Sequence, residues 1–194
     1  MVIVVGAALA VTSMSLKPRQ DANAADKKMM DILGAIQVES TRENATDMFS
    51  QYVTTRIAID ASGGQVSLKQ GVVDTKDAAD PFNIDIKKDY RANKPSKGDL
   101  AWGNAKELTF PVFECDKEGE KLYVVPMVGT GLWGPIWGYV AMQGDMTTIY
   151  GATFDHKTET PGLGAEIKEG FFTEKFAGKT LEEARLRQRT ENDL

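Results

Sequence analysis

Two glycine-rich stretches concentrate the residues that could hold a ligand. The first is Gly129-Thr130-Gly131-Leu132-Trp133-Gly134-Pro135, which follows an apolar run that reads as a strand. Glycine permits positive φ and close backbone approach. Leu132 and Trp133 are large apolar groups in a loop, where they could form a platform for a flat ring. The same residues would also suit a tight hairpin whose Trp covers the core. The second stretch is Glu159-Thr160-Pro161-Gly162-Leu163-Gly164. Pro161 removes a backbone donor and biases Thr160 toward an extended geometry. Gly162 and Gly164 would leave their amides open to a ligand, as in anion-binding nests. An ordinary strand-to-helix connection would need no other residues.

Conventional catalytic sets do not form. His156 is the single histidine and has no adjacent nucleophile, so a triad is not expected. Cys115 lies between Glu114 and Asp116, whose charges disfavour a thiolate; it reads as structural. One Cys and one His exclude an internal disulfide and argue against a zinc centre. Phosphate-loop, dinucleotide, nucleophile-elbow and H-E-x-x-H motifs are absent from the sequence. A net charge of −5 and the lack of a Lys/Arg run argue against nucleic-acid binding. The chain is 42% hydrophobic, too apolar for a disordered segment. Its 194 residues suffice for one domain that buries about 70% of its unfolded surface.

Residues 1–16 (MVIVVGAALAVTSMSL) carry no charged side chain, and Lys17, Pro18 and Arg19 end the run. About 16 residues fall short of the ~20 of a bilayer span. A signal peptide needs a basic region ahead of its apolar run, and none is present. A helix apolar on every face has no side to show water, so the segment reads as part of a membrane helix. Residues 17–38 then form a stalk, with Met29, Met30, Leu33 and Ile36 at helical spacing. Ser40-Thr41-Arg42-Glu43 fits a capping box ahead of an amphipathic helix carrying Ala45, Met48, Phe49, Tyr52 and Val53. Arg56–Asp60 and Gln65–Leu68, joined by Ser62-Gly63-Gly64, read as a β-hairpin. Residues 71–105 are polar and read as an irregular surface excursion with solvated charges, including Lys94-Pro95-Ser96-Lys97-Gly98.

Strand patterns follow at 108–113, 121–128, 136–142 and 147–154, with gaps short enough for antiparallel pairing. Pro111 and Pro126 suggest strand starts, bulges or edges. A second capping box at Thr180-Leu181-Glu182-Glu183 opens a polar helix toward Leu194. The fold class is α+β, with a mostly antiparallel sheet and flanking helices. The organisation is a partial transmembrane helix over 1–16, a stalk over 17–38, a main domain over 39–179 and a polar tail over 180–194.

The stretches LKPRQ, YVTTRIAID, GTGLWGPIWGYVAM and TFDHKTETPGLGAEI carry a resemblance spanning most of residues 2–176. The chain resembles the FMN-binding domain family and, within it, the C subunits of sodium-translocating NADH:quinone reductases. The T-P-G-L-G motif is shared with the G subunits of the related ferredoxin oxidoreductase complexes; G-L-W-G-P-I-W-G is closer to the sodium-pump subunits. The resemblance implies FMN as cofactor, joined to a threonine through its phosphate by a flavin transferase. It implies electron relay from NADH toward quinone with sodium export, the flavin supplying the redox chemistry. It implies other membrane subunits and the lipid bilayer as partners. It also implies a single pass through the bacterial inner membrane with a periplasmic domain. Transferred by motif position, Leu132 and Trp133 line the ring, and Glu159, Thr160, Gly162 and Leu163 contact the flavin. Alternatives are a G-type subunit or a structural remnant without cofactor.

One feature departs from the resemblance. The family's S/D-G-A-T-x-S/T attachment motif lies after T-P-G-L-G, and no match occurs there. Tyr150-Gly151-Ala152-Thr153-Phe154-Asp155 shares only its G-A-T core and precedes T-P-G-L-G, so Thr153 reads as a strand residue. A sequence cut at both ends is the expectation. Lys17, Arg19, Lys27 and Lys28 would favour a cytoplasmic flank, against the periplasmic domain that the resemblance implies.

Overall fold

A computed structural model describes residues 2–93 and 108–181. The elements are α1 (Val2–Ala35), α2 (Ala45–Tyr52), β1 (Val53–Asp60), β2 (Gln65–Gln70), α3 (Ile86–Ala92), β3 (Thr109–Lys117), β4 (Glu120–Thr130), β5 (Pro135–Met142), β6 (Ile149–His156) and the short α4 (Gly170–Thr173). The strands form one six-stranded sheet in the order β2-β1-β3-β4-β5-β6, with every pairing antiparallel. This is the α+β architecture that the strand patterns predict.

Alternation along the strands gives the sheet two apolar faces. One face carries Phe113, Leu122, Val124 and Tyr139, packed with Met29, Ile32, Leu33 and Ile36 of the α1 end and Phe49 of α2. The Phe49 ring meets Phe82 and Phe113 edge-on, with centroids 5.5 and 6.3 Å away. The last third of the predicted stalk is therefore core. The opposite face carries Val140, Met142, Ile149 and Ala152, with Phe154 and Phe176 packed against them.

The start of α1 is exposed, including Ile3, Val4, Val5, Leu9, Val11 and Met14. Among the described residues no helix is long and apolar enough to cross a membrane. Along the 34 residues of α1, Lys17, Arg19 and Asp21 follow the uncharged run and turn the rest of the helix polar. The helix itself runs on through Pro18 without a break.

Three local expectations differ. The Ser40–Glu43 capping box does not form. Asn44 takes the N-cap position of α2, and its side chain accepts the Thr41 N–H at 2.7 Å. Val53 leaves the helix and begins β1. Residues 71–93 are largely exposed and irregular as expected, but the excursion is pinned at the buried Asp80–Phe82 and carries α3. Asp80 is 1% exposed and pairs with Arg56, whose Nε and Nη2 donate to its two oxygens at 2.9 and 2.8 Å. Asp80 also caps the 3-10 turn Pro81–Asn83, and Asp85 caps α3 through the amides of Lys87 and Lys88. Lys94–Gly98 and the tail after Leu181 lie outside the described residues.

The prolines fit their strands. Pairing of β3 with β4 stops at Phe113 opposite Val124. Pro111 and Pro126 both lie beyond that point, where a missing N–H interrupts no β3–β4 ladder bond.

Candidate functional site

The candidate site is built where the β4–β5 connection meets the chain leaving β6. Because β5 and β6 are neighbours, residues 131–134 and 157–164 emerge side by side. The first loop is closed by the Gly131 N–H donating to the Gly134 carbonyl at 2.7 Å. The Lys157 N–H donates to the Pro135 carbonyl at 3.1 Å, which ties the second loop to the first.

Two consecutive side chains then grip Trp133 by its backbone. The Thr158 hydroxyl donates to the Trp133 carbonyl at 2.8 Å. Glu159 Oε1 accepts the N–H groups of Trp133 and Gly134 at 2.9 and 3.1 Å. Glu159 is 8% exposed. Its own N–H donates to His156 Nδ1 at 3.3 Å.

The glycines make this approach possible. A Cβ on Gly131 would lie 2.4 Å from Glu159 Oε1, and one on Gly134 would lie 2.3 Å from the Thr158 hydroxyl. A Cβ on Gly164 would lie 2.7 Å from Glu159 Oε2. Space, not positive φ, demands these three. Gly162 differs: it sits at φ +77° in a turn that follows Pro161 and is closed by the Leu163 N–H on the Thr160 carbonyl, at 3.1 Å. This is the geometry of a type II turn.

The result is an exposed apolar surface on two stapled loops. Leu132 is 82% exposed, Trp133 66% and Leu163 75%. Trp133 does not cover the core, so the tight-hairpin alternative fails. Neither does the second stretch form an open anion nest, because the Gly162 N–H already donates to Glu166 Oε1 at 2.8 Å. Thr160 is exposed. Thr153 lies mid-strand opposite Tyr139, and its hydroxyl donates to the Asp31 carbonyl at 2.8 Å. Cys115 is buried, and burial, with Glu114 nearby, pushes its thiol up to about 12. Thr158 has no sequence signal that would mark it, since its role depends on a loop 25 residues away.

A larger groove, about 810 Å³, lies between α1, α3 and β5. Part of its charged lining is paired: Lys27 bridges Asp31 and Asp155, and Lys87 lies 4.3 Å over the Trp137 ring. Among the described residues no acidic, Cys or His cluster could hold a metal.

Residues 131–192, which contain both loops, match the family model of the FMN-binding domain. The C subunit of the Na(+)-translocating NADH-quinone reductase of Pseudomonas aeruginosa is 30% identical over 94% of this chain and 68% of its own length. The chain belongs to that family. The crystal structure of the corresponding C subunit from Parabacteroides distasonis superposes with a TM-score of 0.68 at 32% identity, covering 86% of this chain and 70% of that one. The C subunit of Vibrio vulnificus is 28% identical, and the chain spans 66% of its length.

Proposed function

We propose that this chain is the FMN-carrying electron-transfer subunit of a Na(+)-translocating NADH:quinone reductase. The observation that carries the reading is the exposed Leu132–Trp133 pair, held in place by a buried carboxylate inside the segment that matches the FMN-binding domain. Exposed large apolar groups on a fixed loop suit the face of a flat ring. The residues therefore fit a flavin.

In this reading Leu132 and Trp133 cover one face of the isoalloxazine and exclude water from it. Leu163 extends that surface. Thr160 meets a polar edge, and Gly162 supplies the turn that presents both. Glu159 contributes at the same place, with one oxygen committed to the loop amides. Bound FMN would supply the electron transfer itself. Threonine attachment by a flavin transferase is part of the proposal, with Thr153 unsuited because its hydroxyl is used within the fold.

The relay would run from NADH toward quinone, coupled to sodium export, among the other membrane subunits. The exposed apolar start of α1 supports anchoring at the bacterial inner membrane, where bilayer or partner helices would cover it. A periplasmic domain follows the family resemblance rather than the basic flank at Lys17, Arg19, Lys27 and Lys28.

The test is an FMN titration followed by quenching of flavin fluorescence. Wild type should saturate, and the double variant Leu132→Ser/Trp133→Ser should bind roughly tenfold or more weakly, a loss of at least about 1.4 kcal/mol. The melting temperature should barely move, because both side chains are exposed. Absence of saturable binding by wild type would support a structural remnant instead.

A further inference from the structure

We propose that His156 is a positioning residue for the flavin platform, acting through Glu159 on Trp133 and Gly134. The inference rests on the flavin reading above and deepens it.

His156 ends β6, opposite Ile136 of β5. Its Nδ1 accepts the Glu159 N–H at 3.3 Å. Glu159 in turn accepts the Trp133 and Gly134 amides. Two consecutive links, the second shared between two amides, therefore connect the end of a strand to the backbone of the exposed Trp133. Each link is a donor–acceptor pair of fixed direction, so the order cannot be reversed: an acceptor at His156 fixes the Glu159 backbone, and the carboxylate then reaches the loop.

The other ring nitrogen shows that this acceptor is what the imidazole supplies. An accepting Nδ1 places the proton of a neutral ring on Nε2. Nε2 is buried and has no hydrogen-bond partner among the described residues. A buried donor left unmade is unfavourable, and native folds retain few. A phenyl ring would fill the same space without that orphan. It would also remove the acceptor that holds Glu159. The imidazole thus carries one unsatisfied atom alongside one specific bond, as expected of a group chosen for position rather than packing.

Glu159 depends on such support. It is a buried carboxylate with no ion pair among the described residues, and its Oε1 is held by two neutral amides. Its carboxylate sits so close to Gly131 and Gly164 that a Cβ there would come within 2.4 Å of Oε1 and 2.7 Å of Oε2. A small rotation of its backbone would therefore move the loop that carries Leu132 and Trp133.

The experiment starts with wild type alone. A long-range 1H–15N spectrum of flavin-free protein should show His156 protonated on Nε2 with Nδ1 accepting; the opposite tautomer overturns the proposal without any variant. The variants His156→Phe and His156→Asn then separate support from packing. Asn places an amide oxygen near the Nδ1 position and keeps the acceptor. His156→Phe should shift the Trp133 and Gly134 amide resonances and weaken FMN binding about tenfold, whereas His156→Asn should restore both toward wild type. Unchanged amides in His156→Phe, or an Asn variant as impaired as Phe, would overturn the positioning role. If wild type binds no FMN while the amides respond as stated, the flavin reading fails and the His156–Glu159–Trp133 linkage stands.

Discussion

Asp80 and Glu159 are both buried acids, 1% and 8% exposed, yet they are satisfied by different partners. Asp80 faces the Arg56 guanidinium through both oxygens and also accepts the Phe82 amide. Burial alone would raise its carboxyl, but the guanidinium and that amide overcome it and hold the group below its ordinary value. Arg56 directs two of its three remaining donors to the Gly71 and Val72 carbonyls. This network closes on itself and pins residues 71–83 over the sheet. Among the described residues Glu159 has no such cation. It is held by two loop amides, beside three exposed apolar side chains. One acid stabilises the fold; the other shapes a surface that the fold leaves open.

Breaking the Arg56–Asp80 pair should have the largest effect on stability. Arg56→Ala strands a buried carboxylate, and urea denaturation should show a loss of about 3–5 kcal/mol. The double variant Arg56→Met/Asp80→Leu should recover most of it, since no charge remains to be desolvated. It should also lose part of the acid sensitivity of wild type. A carboxyl depressed by folding contributes stability above its unfolded value near 4, and that contribution is lost as pH falls through the folded value.

Glu159→Ala should invert the pattern. Two amides lose an acceptor at a loop rim, for about 1–2 kcal/mol in the same denaturation experiment. FMN affinity should fall about tenfold or more. Equal stability losses for Arg56→Ala and Glu159→Ala, with flavin affinity unchanged, would erase the distinction between the two acids.

Lys28 sharpens the comparison with the smallest expected effect. Its ammonium donates to the Phe82 carbonyl and, at 3.1 Å, to the Ile84 carbonyl, and it has no direct ion pair among the described residues. Burial pushes it down to about 8, against some help from Asp85. A base depressed by folding destabilises the fold wherever it must be charged. Stability should therefore rise as pH climbs from about 8 toward about 10, and Lys28→Met should flatten that rise in pH-resolved denaturation.

Much of the fold was legible because its signals are local. The alternating runs at 108–113, 121–128, 136–142 and 147–154 became four adjacent strands, and the 56–68 hairpin formed as patterned. The Met29–Ile36 spacing announced a buried helical stripe, although a stalk is the plainer reading of it. The buried anchor of the 71–93 excursion was not legible. Asp80 is one acid in a polar stretch, and only the approach of Arg56, 24 residues earlier, makes it a buried partner. The α3 cap at Asp85 was available as a signal, but the helix is only seven residues long and has little apolar periodicity.

By itself the sequence determined the six strands, the helical stripe that faces them, and the two glycine-rich loops with their large apolar residues. Each of these depends on periodicity or backbone freedom within a few residues. Tertiary structure alone decided that Trp133 faces outward, that the Gly162 amide is already taken, and that Glu159 reaches a loop 25 and 26 residues away. The reason is the need of a buried polar group for a partner. Which partner it meets is set by the loop ends that β5 and β6 carry to one edge of the sheet.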